Sequence, residues 1–300
     1  MAVEVESRRF YDGGVDGFAD QPEVPPNPGS DAQIELIRIT TATGGEQWAM
    51  MRRIAYRDRH LGELLVPRAT QSFRTDLTSV PALFTWLVPK TGRHLPATLV
   101  HDGLVHPPDD VTYVSTEGHV ILRAEADRVL RDALADTGTG LIRRWLVWSA
   151  VTALTMVSGS GTGWSTARTW RYRLSVGLTF LVVAVLGVLA TLDLFDVDAG
   201  PVPPLPWMDD RSWPVELAGG LAGAVVVPLV LALLWGRFRI AGAVVGVALA
   251  VLLHVTVALI GLTLLYQALE RLTAKAPAVA IGLGAVVVGG ALGFFIGLVV

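Results

Sequence analysis

The sequence contains no cysteine. Disulfides, thiolate nucleophiles and cysteine-ligated zinc are therefore excluded. Charge of one sign is also lacking, for the net charge is only −3, and no polycationic surface invites nucleic acid as a partner. Met1 to Asp20 lacks the apolar core of a signal peptide, so the segment that follows is expected to stay in the cytoplasm. The most telling absence is of charge in the second half: residues 174–192, 217–236, 240–269 and 276–300 carry none. A hydrocarbon core about 30 Å thick takes roughly 20 helical residues, and each stretch is long enough for one span. Residues 240–269, at about 1.5 Å each, make one tilted helix and not two. The pattern predicts an all-α four-helix transmembrane bundle over residues 174–300, with helices near 174–193, 216–236, 240–268 and 277–299.

Arginine placement predicts the orientation. Arg168, Arg171 and Arg173 precede the first span, and Arg237 and Arg239 fill the turn between the second and third. The loop from Asp193 to Glu216 sets Asp193, Asp196, Asp198, Asp209 and Asp210 against the single Arg211. A multi-pass protein of the cell membrane is expected, with this loop outside and the head and C-terminus cytoplasmic. Residues 161–173, which add Trp164, Trp170 and Tyr172 to the arginines, read as a linker anchored to anionic headgroups of the lipid bilayer. Gly219 and Gly223, and then Gly289, Gly293 and Gly297, recur every four residues. Such stripes allow close helix packing, within one bundle or in a homo-oligomer.

The first half reads differently. Residues 1–30 are rich in Gly, Pro and Asp and predict a disordered arm. Residues 31–160 predict an α+β soluble head with a small N-terminal sheet and three helices. The runs Ile34–Ile39 and Gln47–Arg57, separated by Thr43-Gly44-Gly45-Glu46, signal a β-hairpin. Leu64 to Val66 forms a third strand, closed by Pro67. Pro96 opens a short helix over Ala97 to Val105, stopped by Pro107-Pro108. Arg123 to Asp136 forms a second helix, stopped by Gly138, and Leu141 to Val157 a third. The segment Ser158 to Gly163 reads as a flexible connection to the membrane.

Polar residues that can carry chemistry stand together only in this head. They are Thr75-Asp76-Leu77-Thr78-Ser79-Val80-Pro81, His101-Asp102, and Arg123-Ala-Glu-Ala-Asp127. With Val66-Pro67, Phe73, Pro89, Gly92, Pro96-Ala97 and Leu104 in the same order, this signature resembles the phage and bacterial family called domain of unknown function 1353, over residues 32–160. The resemblance implies no known activity, and it leaves the membrane half uncovered. Gly103 and Val105 stand where that family usually has aromatic residues, and Leu130 where it usually has Phe.

Adjacent residues on a helix point about 100° apart, so His101 and Asp102 serve different partners. The arrangement is similar to that of phospholipase A2 enzymes, in which the His of a His-Asp pair activates water and a carboxylate on a second helix orients it. The analogy implies His101 as general base, Asp127 as its orienting carboxylate, Asp102 as ligand to a divalent cation such as calcium, and Asp76 as a second carboxylate for that metal. The Gly-rich calcium loop and the disulfides of that group have no counterpart here. A metal-dependent phosphohydrolase pattern, His…His-Asp…Asp, would recruit His60 or His94 instead. Two function classes follow. One is a membrane-bound hydrolase with a lipid substrate. The other is a non-enzymatic binding or assembly module of phage or envelope type, in which the His-Asp pair is structural.

Overall fold

The computed structural model describes residues 8–17, 22–40, 46–77, 88–107, 109–197, 200, 203–208, 211–279, 281–282, 285–286 and 290. The chain divides into two compact units, residues 1–251 and 252–300.

In the first unit a four-stranded antiparallel sheet runs in the order β1 (Phe10–Asp12), β4 (Ile54–Asp58), β5 (Gly62–Val66), β7 (Val114–Ser115). A three-stranded antiparallel sheet runs in the order β2 (Leu36–Thr40), β3 (Glu46–Met50), β6 (Arg74–Thr75). Ile54 lies opposite Val66 and Tyr56 opposite Leu64. The period-2 alternation of a strand sends these four into the main core, and Ala55 and Leu65 to the other face against Tyr11. Three helices close over the main face: α1 (Leu95–Leu104), α2 (Arg123–Asp136) and α3 (Leu141–Ser158). They contribute Leu99, Val100 and Leu104, then Val129, Leu130 and Leu134, then Val147. The α+β head and its three helices match the sequence expectation, with Pro96 in the first turn of α1 and left-handed Gly138 and Gly159 behind α2 and α3. Gly103 has no room for a side chain, since a Cβ there would lie 2.2 Å from Val66 Cγ1. That vacancy lets α1 sit close on β5.

Several boundaries differ from those read in the sequence. The arm expected to be disordered over 1–30 supplies β1, paired residue by residue with β4, and Tyr11 is fully buried. Asp12 accepts two hydrogen bonds from Arg52, so a long-range ion pair holds what local composition would leave loose. The run Gln47–Arg57 is not one strand: it breaks after Met50 and resumes at Ile54 in the other sheet. The hairpin of β2 and β3 is present, Leu36 opposite Met50 and Thr40 opposite Glu46.

The expected linker over 161–173 is also shorter. α4 spans Thr166–Leu194, with Ser165 as its N-cap, so the arginines stand in its first turns. Arg173 donates from Nε to the carbonyl of Val157 and from an Nη to that of Ser158, capping the end of α3. A Cβ on Gly159 would meet Thr169 at 2.4 Å, and the Arg123 amide donates to Gly161 O at 2.9 Å. The 158–163 segment is thus packed between α2, α3 and α4. Trp148, Ala153 and Met156 of α3 join Tyr172, Val176, Trp235 and Phe238 in a second apolar cluster, so α3 faces both the head core and the long helices.

Among the described residues, two stretches are long and apolar enough to cross a membrane, Thr166–Leu194 and Trp213–Lys275. The second comprises α5 (Trp213–Leu231), a 3-10 segment (Ala232–Phe238) and α6 (Arg239–Lys275). Gly236 breaks it with φ 58° and ψ −119°. Gly242 and Gly246 then set the first turns of α6 against Trp235 and Pro228. Trp235 is fully buried, and its indole donates to Thr179 of α4 at 3.0 Å. Outward residues such as Leu181, Val188, Val226 and Val230 are exposed and apolar. Gly219 and Gly223 do not face another helix: a Cβ at either would meet Trp207, at 2.1 and 3.0 Å. In the second unit α6 continues from Leu252 to Lys275 with an apolar surface that includes Val257 and Leu262. Gly289, Gly293, Gly297 and most of the fourth expected span lie outside the described residues.

Candidate functional site

Two helices and one short strand bring the signature together. α1 buries Leu99, Val100 and Leu104, which turns His101 toward α2. α2 buries Ala126, Val129, Leu130 and Ala133, which places Asp127 on the same inner face. His101 Nε2 lies 3.0 Å from Asp127 Oδ1, with the two side chains 10% and 2% exposed. An ionised carboxylate only accepts, so Nε2 carries the proton and Nδ1 keeps the lone pair. Asp127 Oδ2 is buried without a hydrogen-bond partner among the described residues, an open acceptor of the kind that folded interiors rarely tolerate.

Asp102 turns the other way, as its 100° offset requires. Its Oδ2 accepts from the Thr75 hydroxyl of β6 at 2.7 Å, and that same hydroxyl oxygen accepts from the Leu77 amide at 2.9 Å. Leu77 is buried in the left-handed region, φ 74°, a conformation costly for a branched side chain and retained where surrounding contacts impose it. The Thr75–Leu77 bend therefore seats on Asp102. Burial pushes the Asp102 carboxyl up to about 6; the Thr75 hydrogen bond and the charge of His101 pull against burial, and the charge of Asp76 adds to it. Asp76 is exposed. Thr78, Ser79, Val80 and Pro81 lie outside the described residues.

The raised value has a testable consequence. The native state holds the Asp102 proton more tightly than the unfolded chain, whose carboxyl titrates near 4. Stability from this group is therefore present at low pH and is lost as pH rises from about 4 through about 6. Asp102→Asn keeps an acceptor for Thr75 and removes the charge. It should abolish that slope and stabilise the protein above pH 6.5 by about 1–2 kcal/mol, read from thermal melts across pH.

Asp102 also lines a cleft of about 500 Å³, together with Arg68, Phe73, Arg74, Val105 and Thr112. The sequence reading missed the two arginines, which stand outside the signature and carry no spacing that marks them. The described residues do not fit the divalent-cation reading of Asp102 and Asp76. Calcium takes six to eight oxygens, whereas no group of three or more His, Asp or Glu gathers among the described residues. The residues of the phosphohydrolase pattern likewise form no such group among the described residues. His60 is exposed in the β4–β5 turn, and His94 caps the opposite end of α1, fully buried with Nε2 2.8 Å from Pro89 O. Burial holds His94 below the usual imidazole range, with Arg143 adding to the effect against the Pro89 contact.

Residues 48–151 match the model of a family described as "Protein of unknown function (DUF1353)". That is about a third of the chain, from β3 into α3, and it is the family that the signature resembles. No curated protein and no solved structure matches the chain.

Proposed function

We propose that the head is a hydrolase in which His101 is the general base and Asp127 its orienting carboxylate. The observation that carries this reading is the 3.0 Å contact from His101 Nε2 to Asp127 Oδ1. It fixes the tautomer that leaves Nδ1 as proton acceptor, and it places a negative charge where the imidazolium would form. In the reaction, Nδ1 takes a proton from water as the hydroxide oxygen bonds to the acyl carbon of an ester. The same proton then passes to the departing alkoxide as the acyl–oxygen bond breaks, leaving acid, alcohol and neutral imidazole. Asp102, the next residue along α1, lines the cleft, whose lining does not include His101 or Asp127.

The long apolar helices supply the location. The arginines of α4 and of the turn after Gly236 support a bundle with the head and C-terminus in the cytoplasm. A bilayer ester is then the substrate nearest to the site. Reporter fusions after Gly163 and after Pro204 test this topology, and an external signal at Gly163 would overturn it. Asp127 is 1% exposed, and this burial favours one second reading: a module in which the His-Asp pair merely clamps α1 to α2. An ester-hydrolysis assay on the full chain in nonionic detergent, comparing the wild type with His101→Gln, separates the two. Turnover lost in the variant supports the hydrolase, and turnover absent from the wild type or unchanged in the variant refutes it.

A further inference from the structure

Six arginines of the head form ion pairs with acids among the described residues. Arg8 pairs with Asp31, Arg52 with Asp12, Arg59 with Asp136, and Arg128 with Asp58, Glu125 and Asp132. Arg68 and Arg74 have no such pair, as is true of several other arginines, and are set apart by sharing one cleft. Both are exposed, both line the cleft, and among the described residues neither has a carboxylate within ion-pair distance. Arg74 is nonetheless held in place, its Nη1 donating to the carbonyls of Gln71 at 2.6 Å and Phe73 at 2.8 Å. The backbone at Arg68 is fixed from both sides: its amide donates to Thr112 O at 2.8 Å, and its carbonyl accepts from Arg53 at 3.1 Å. Two guanidinium groups rooted in fixed backbone, with donors to spare, form a receptor for a multiply charged oxyanion.

We propose that the cleft binds a phosphate group through Arg68 and Arg74, which makes the substrate of the proposed hydrolase a phosphate-bearing ester. The assignment as substrate rests on the hydrolase reading; the binding does not. Asp102 and Asp110 also line the cleft and oppose an anion. The first has an oxygen engaged by Thr75, and the second is exposed. Phe73, Val105 and Val111 give the remaining wall an apolar character, suited to the hydrocarbon that a phospholipid would add to the phosphate.

The test uses the full chain in nonionic detergent and two probes, inorganic phosphate and dihexanoyl phosphatidic acid, followed by titration calorimetry. Phosphate should bind, and Arg68→Gln and Arg74→Gln should each weaken it by roughly tenfold with unchanged melting temperature. Tighter binding of the short-chain lipid than of phosphate would identify a lipid source, and equal binding a soluble phosphate ester. No heat with either probe, or equal affinity in the double variant, overturns the proposal. Ester turnover separates it from the reading beneath it. If phosphate binds through the arginines but no phosphate-bearing or neutral ester is cleaved, the hydrolase falls and the anion site stands. If neutral esters are cleaved and phosphate does not bind, only the substrate class falls.

Discussion

Replacing Arg128 with alanine should lower the unfolding free energy of the protein by about 3–5 kcal/mol, because it strands a buried carboxylate. Asp58, at the end of β4, has a fully buried side chain. Arg128 reaches it from α2 with two donors, at 2.8 and 3.2 Å, and spreads its remaining hydrogen-bonding capacity over Glu125 at 2.7 Å and Asp132 at 3.0 Å. Asp58 Oδ1 also accepts from the amides of His60 and Leu61, which shapes the turn into β5. Burial pushes the Asp58 carboxyl up, but the hydrogen bonds from Arg128 and these two amides outweigh burial and hold it below its usual range. A carboxyl held down in the folded state adds stability above its unfolded value near 4, and that stability is lost in acid. The gap between wild type and Arg128→Ala in urea melts should therefore narrow as pH falls below about 4. Asp58→Asn keeps the acceptor for both amides while removing the charge, so the double variant Asp58→Asn/Arg128→Ala should recover much of the loss. A double variant as unstable as the single one would show that Arg128 acts through packing of its stem and not through Asp58.

What the sequence revealed and what it hid divide along the line between local and long-range forces. α1, α2 and α3 were legible to within a residue or two because their ends are marked locally, by Pro96, by Gly138 and by Gly159. The meeting of His101 with Asp127 was implied in the sequence by an analogy alone, and the structure gives its physical ground: each sits on the inner stripe of its own helix. β1 was hidden, for three residues carry no period, and its place depends on Arg52 reaching back to Asp12. The start of α4 was hidden too. Three arginines in six residues read as a linker anchored to lipid headgroups, yet Arg173 spends its charge on the carbonyl end of α3 and Arg237 lies over the rings of Trp164 and Phe238. Arg68 and Arg74 became visible as a pair only when the fold placed both on the lining of one cleft.

His101→Gln should abolish ester turnover, by 100- to 10,000-fold, while costing little stability. Alanine is the less informative change, since it leaves Asp127 buried with both oxygens unpartnered, and that penalty of about 1–3 kcal/mol arises in either reading. Glutamine places an N–H near the position of Nε2 and so can still donate to Asp127 Oδ1, but it has no lone pair of imidazole basicity where Nδ1 stands. A catalytic His101 therefore predicts a melting temperature within a few degrees of wild type and a turnover reduced to background. Asp127→Asn extends the test. Its amide can donate to Nε2 and turn the imidazole into the tautomer whose Nδ1 carries the proton, so turnover should fall by a comparable factor although both side chains remain hydrogen-bonded. A structural clamp makes the opposite prediction for both variants, since each preserves a contact between α1 and α2. If His101→Gln and Asp127→Asn keep stability and leave turnover at the wild-type level, the dyad is a clamp and the chemistry of this head does not run through it.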